Sequence, residues 1–151
     1  MPVFKGQYEE TFTLDVSIEK AKELFGDLDS IIANYVGLEK GDKLDDKTIH
    51  FQLEPKSAMG ATFKGDYKCE YNFSNDTRLE WHSVGSGNME AKGTIDFKSL
   101  GDNRTHLSYR QNMTCDIPVN RFLGKALAPI VERSISGGIK EYVDRLKKKA
   151  R

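Results

Sequence analysis

The chain is poor in the residues that carry covalent chemistry and long-range electrostatics. Its 151 residues include only two cysteines, four prolines and one tryptophan, and 23 basic residues are balanced by 23 acidic ones. A balanced charge provides no bulk attraction to nucleic acid or to an anionic membrane. No apolar run approaches the roughly 18 residues that read as a spanning helix, and the first residues show neither a basic n-region nor an apolar h-region. The expectation is a soluble, cytoplasmic protein or part of a larger intracellular assembly, with no nucleic-acid partner and no stable membrane insertion. Without secretion, Cys69 and Cys115 read as reduced core residues rather than a disulfide. The N-x-Ser/Thr triplets at Asn72, Asn75, Asn103 and Asn112 are then chance matches. One basic cluster stands out, Lys147, Lys148, Lys149 and Arg151, and it reads as the solvated end of a helix, where cations suit the negative end of the dipole.

What the chain does have is periodicity. Over residues 119–148, Val119, Phe122, Leu123, Ala126, Leu127, Ile130, Val131, Ile135, Ile139, Tyr142, Val143 and Leu146 recur at three- and four-residue steps, which predicts one amphipathic helix. At 1.5 Å per residue, about 30 residues span roughly 45 Å, so the helix needs an equally long apolar surface to lie on. Strand patterns precede it. Residues 7–16 alternate, with Tyr8, Phe12, Leu14 and Val16 on one face. Ser17 is a plausible N-cap for a short helix carrying Ala21, Leu24 and Phe25 and stopping at Gly26. A second short helix is expected from Asp29 or Ser30, using Ile31, Ile32 and Tyr35 and ending at Gly37.

Beyond a weak strand at 36–44 the pattern is almost entirely strand. Ile49, Phe51 and Leu53 share a face, Pro55 to Gly60 reads as a turn region, and 61–73 reads as one half-buried strand with its odd positions inward. Leu79, Trp81 and Ser83 follow. Next come Met89, Ala91, Gly93, Ile95 and Phe97, and then Thr105, Leu107, Tyr109, Gln111, Met113 and Cys115, each set on an inner face. Pro118 stops the sheet. Sequential hairpins make an antiparallel sheet whose apolar face must be covered, and the terminal helix has the length and stripe to cover it.

By this element order, by the segment from Gly93 to Tyr109 (Gly-Thr-Ile-Asp-Phe-Lys-Ser-Leu-Gly-Asp-Asn-Arg-Thr-His-Leu-Ser-Tyr), and by the helix with Gly137–Gly138, the whole chain resembles the START and Bet v 1-like (SRPBCC) superfamily. Polyketide cyclase-like proteins and a family of carbon monoxide dehydrogenase subunits belong to that group. The resemblance implies an α+β helix-grip fold over 1–151: a curved antiparallel sheet of six to seven strands wrapped around a long C-terminal helix, with two short helices after the first strand. It also implies a hydrophobic ligand held between sheet and helix; a minority of such proteins are enzymes.

The inner-face residues point the same way as the resemblance, which carries much of the expectation of a cavity. Tyr67, Tyr71, Trp81, Ser83, Tyr109 and Gln111 fall on the inner face, where a dry core would favour Leu, Ile and Val. Buried hydroxyls and amides cost a few kcal/mol each without partners, so they must bond one another or face a wet or ligand-filled space. The expected lining is Tyr67, Tyr71, Trp81, Met89, Tyr109, Gln111 and Met113 from the sheet, with Leu127, Ile130 and Val131 from the helix; Tyr109 and Gln111 would orient a ligand's polar end. Gly65 and Gly93, inward in mid-strand, read as points of sheet curvature rather than ligand contact. Pro129 should kink the helix or begin a second segment, and Gly137–Gly138 should serve close packing or extra volume.

No catalytic group is assigned. His50, His82 and His106 fall on outer faces, as do Glu70, Glu90 and Asp96, so no Cys–His pair, metal cluster or acid–base pair faces inward. Gly85-Ser-Gly87 reads as a hairpin turn, no cofactor is expected, and nothing specifies an oligomeric state. The leading expectation is binding of a small hydrophobic or amphipathic molecule. The alternatives are a cyclase or dehydratase using Tyr67, Tyr71 or Tyr109 as proton donor, and an accessory module for assembly of a larger enzyme.

Overall fold

A computed structural model describes residues 3–151. The strands are β1 (Val3–Leu14), β2 (Leu38–Lys43), β3 (Thr48–Leu53), β4 (Lys56–Ala58), β5 (Ala61–Phe63), β6 (Asp66–Asn75), β7 (Arg78–Val84), β8 (Met89–Gly101) and β9 (Arg104–Asp116). The helices are α1 (Ile18–Gly26), α2 (Leu28–Asn34) and α3 (Arg121–Lys149). Seven strands form one antiparallel sheet in the order β1-β9-β8-β7-β6-β3-β2, which curls as a half-barrel around α3, while β4 and β5 pair only with each other. This is the α+β helix-grip architecture.

The two-residue alternation places the core. Ile49 and Phe51 of β3, Leu79 of β7, Ile95 of β8 and Leu107 of β9 are all buried on the concave face. On β1 the even positions turn inward from Phe4 onward, so the strand starts earlier than residue 7 and carries Glu10 on its inner side. Helix α1 begins at Ser17, whose side chain accepts from Lys20 N–H, as expected. Helix α2 starts one or two residues before the expected Asp29 or Ser30, because Asp27 is the cap and accepts from Ser30 N–H at 3.0 Å. The turn region at 55–60 is instead a hairpin turning at Met59–Gly60, and the strand expected over 61–73 breaks at Lys64–Gly65 into β5 and β6.

The inward glycines, expected as points of curvature, sit in a sheet that does curl, and each also has a packing cause that alternation did not show. A β-carbon on Gly93 would lie 2.2 Å from Trp81 Cζ2, and the two residues are register partners across β7 and β8. A β-carbon on Gly65 would lie 2.5 Å from Met89 Sδ. Each glycine clears room for a large neighbouring side chain.

Helix α3 is capped by Asn120, which accepts from Leu123 N–H at 2.8 Å, and it runs through Pro129 as one helix, with no second segment. Pro129 has no N–H to offer the Lys125 carbonyl, which is left one turn short of its intrahelical bond. The expected stripe holds in only part of its length. Leu127, Ile139, Val143 and Leu146 are buried, but Phe122 is 87% exposed, Ala126 is exposed and Ile130 is 46% exposed. At 3.6 residues per turn, Phe122 and Ala126 sit about 100° from Leu123 and Leu127, so one apolar set faces in and the other faces out. Close helix–sheet approach occurs at Gly6 of β1, where a β-carbon would lie 2.4 Å from Ile135 Cγ2. It does not occur at Gly137–Gly138, where an added β-carbon would meet nothing within 4 Å.

Candidate functional site

Because the first half of α3 stands over the sheet and the β4–β5 hairpin closes one side, a space of about 250 Å³ remains between them. That is just under the range of roughly 300–1,000 Å³ common for sites that hold drug-sized molecules. Tyr67, Tyr71, Trp81, Met89, Gln111 and Met113 line it from the sheet, and Leu127, Ile130 and Val131 from α3. Tyr109 does not reach it. Its ring is packed behind the wall among Tyr8, Phe25 and Trp81, and its hydroxyl donates to Gln111 Oε1 at 2.7 Å. Tyr109 therefore holds the Gln111 carbonyl and leaves the amide nitrogen as the free end.

Several lining residues escaped the sequence reading. Ile31, Tyr35 and Val36 come from α2 and the segment after it, and Ala58, Ala61 and Phe63 from the hairpin. Three-residue strands are too short to show alternation, so the hairpin left no signal. Ser134 and Tyr142 also line the space, and their spacing in four-residue steps from Ile130 is a signal that was available; Gly138, one of the two glycines expected to serve close packing or extra volume, lines it as well.

The polar groups divide into satisfied and free. Tyr35 and Tyr67 share a hydrogen bond between their hydroxyls at 2.6 Å, and the Tyr35 ring stacks on Phe51, which stacks on Tyr67. Ser83 accepts from Ala91 N–H at 2.5 Å and so belongs to the sheet rather than the space. Among the described residues, the Tyr142 hydroxyl and the Trp81 indole N–H make no hydrogen bond, although both side chains line the space. Burial raises the pKa of Tyr35, Tyr67, Tyr71, Tyr109 and Tyr142 above that of free tyrosine, so their hydroxyls are protonated donors at neutral pH.

The thiols are both free and both buried. Burial pushes Cys69 up to about 12, with the Tyr71 hydroxyl opposing, and Cys115 up to about 11. Neither is a thiolate at neutral pH, so neither is an activated nucleophile. The histidines lie on the outer face: His50 Nε2 is 2.6 Å from Asp66 Oδ1, His106 Nδ1 is 3.2 Å from Thr13 Oγ1, and His82 is exposed. Among the described residues no group of three or more His, Cys, Asp or Glu side chains could hold a metal ion.

One inward carboxylate went unread in the sequence. Glu10 is bonded by the Tyr8 hydroxyl and by Lys147 Nζ, and Lys147 also lies 4.7 Å from the centre of the Phe12 ring. Lys147 is thus half-buried and fastened to β1, not part of a solvated tail. This cluster ties the end of α3 to the sheet and does not line the space. Lys56 Nζ of the hairpin donates to Ser134 Oγ of α3 at 3.3 Å, and both residues line the space together with the half-exposed Ile130.

No family model matches this chain, and no curated protein matches it. Solved structures do. An aromatase/cyclase from Streptomyces aligns over 97% of this chain and 93% of its own, with 11% identity and a TM-score of 0.66. A conserved protein from Geobacillus kaustophilus aligns over 97% and 95%, with 15% identity and a TM-score of 0.61. Norcoclaurine synthase from Thalictrum flavum, in complex with dopamine and hydroxybenzaldehyde, aligns over 97% and 86%, with 10% identity and a TM-score of 0.59. These similarities define the class: the fold is that of the Bet v 1-like proteins. Identities this low carry the fold and no further.

Proposed function

We propose that the chain binds a small amphipathic, largely apolar molecule in the space between the sheet and α3. One observation carries this reading: an apolar wall presents the Tyr142 hydroxyl and the Trp81 N–H without partners, beside a Gln111 amide held by Tyr109. Groups that polar on a wall that dry lose free energy unless water or a ligand satisfies them. In this role Tyr142, Trp81 and Gln111 take the ligand's polar end, while Met113, Leu127 and Val131 supply apolar contact. The volume suits a compact ring system or a short chain better than a two-chain lipid.

The test is native mass spectrometry of protein purified from its host, followed by titration of Trp81 fluorescence with fatty acids, isoprenoid alcohols and aromatic polyketides. Val131→Phe, which fills the space, should abolish the response, and Tyr142→Phe should weaken it about tenfold if one hydrogen bond to a polar head is lost. No co-purified mass and no response to any probe would reject the reading.

A second reading is proton donation to a bound substrate, and the Tyr35–Tyr67 hydroxyl pair favours it. A protonated tyrosine braced by a second hydroxyl can act as a general acid. The similarity in fold to an aromatase/cyclase and to norcoclaurine synthase supports testing such substrates. Unchanged turnover in Tyr67→Phe would dismiss it.

A further inference from the structure

The first half of α3 is apolar on two sides, and only one of them is covered. Leu123, Leu127 and Val131 face the sheet, Phe122 (87% exposed) and Ala126 face away from it, and Ile130 (46% exposed) lies at the margin between the two sides, since it also lines the cavity. A surface helix normally shows solvent a polar face, and a helix that is apolar all round is normally buried. The same segment carries Arg121, Lys125 and Arg133 against one acid, Glu132, in a chain whose overall charge is zero. None of these three cations forms an ion pair among the described residues; in the second half Lys140, Arg145 and Lys147 do, while Lys148 and Lys149 at its end do not.

We propose that this face docks on an anionic bilayer, and that the cavity takes its ligand from there. The proposal rests on the binding reading above. An outward apolar stripe flanked by unpaired cations is the pattern of a helix lying in the membrane interface, with its aromatic among the acyl chains and its cations on the headgroup phosphates. Position supports the link to the cavity. Ile130, half exposed, joins the outward face to the cavity lining, and Ser134, which holds Lys56 of the hairpin, lies one turn on. A second copy of the chain is a poor occupant, because a two-fold contact would set this segment, with three cations to one acid, against the same cation-rich segment of the other copy. Docking of this kind is peripheral: no helix among the described residues is long and apolar enough to cross a membrane.

Flotation of the full chain with vesicles of phosphatidylcholine alone, and of phosphatidylcholine mixed with phosphatidylserine, tests the proposal. The chain should float with the mixed vesicles and not with the neutral ones. Phe122→Ser should lower the bound fraction about tenfold by removing the aromatic anchor, and the double variant Lys125→Glu/Arg133→Glu should lower it by about 25-fold or more, since one cation near such a surface is worth about fivefold. Phe122 does not line the cavity, so Phe122→Ser should keep the Trp81 response to a soluble fatty acid. No flotation of a chain that still gives that response would overturn docking and leave the cavity reading intact. Equal flotation of wild type and both variants would place any membrane contact elsewhere and also overturn the proposal. A concentration-dependent dimer lost in Phe122→Ser, with no flotation, would assign the face to self-association instead.

Discussion

The two halves of α3 are built to different ends. From Ile139 onward the helix is fastened: Val143 and Leu146 are wholly buried, Lys140 pairs with Asp144 at 2.8 Å, Arg145 with Glu141 at 3.3 Å, and Lys147 with Glu10 of β1. From Arg121 to Ile135 only Gly124 and Leu127 are buried, and the space beneath it stays open. Pro129 and the pair Gly137–Gly138 all fall in the first half or at its boundary, and each weakens a helix. The contrast teaches that one continuous helix can anchor at one end and enclose at the other. Sequence cost is tolerated where enclosure, not packing, is the task.

If the halves differ in this way, substitutions should sort by half. Leu146→Ala should cost about 2–5 kcal/mol in urea unfolding, because a packed site cannot collapse around the loss. Leu127→Ala should cost clearly less, since it enlarges an existing space; equal losses would erase the distinction. Gly6→Ala should cost about 1–3 kcal/mol by driving a methyl into Ile135, and Ile135→Ala in the same chain should recover part of it in a double-mutant cycle. Lys147→Met should cost about 1–2 kcal/mol by stranding the half-buried Glu10, while Lys125→Met should be close to neutral. Gly137→Ala should stabilise by about 1 kcal/mol, read as a higher urea midpoint, because nothing lies where the methyl would go.

The sheet was largely legible in the sequence because a period of two is simple. Every inward residue named from β7 to β9 keeps its predicted face, and that parity brought Tyr67, Tyr71, Trp81 and Gln111 to one wall. Parity says nothing about depth, which is why Tyr109, on the same face, is behind the wall rather than on it. It is also silent about layers: Tyr35 and Phe63 reach the space from elements outside the main sheet, and no periodicity links them to it. The helical stripe was legible as a stripe but not as two, because three- and four-residue steps collect both Leu123 and Phe122. Nor could alternation explain Gly93, whose cause is the indole opposite it, a pairing that exists only once the strands are in register.

The Glu10–Lys147 contact joins residues 137 apart, and every residue of β1 finds its strand partner on β9. During synthesis β1 therefore waits, its inner face uncovered, while β2 to β8 and both short helices emerge before its neighbour exists. Contacts this distant make folding slow, because a long loop must close before they return any free energy. β1 can take its place in the sheet only once β9 has been made, and its outer face alternates polar residues with the inward apolar ones until then.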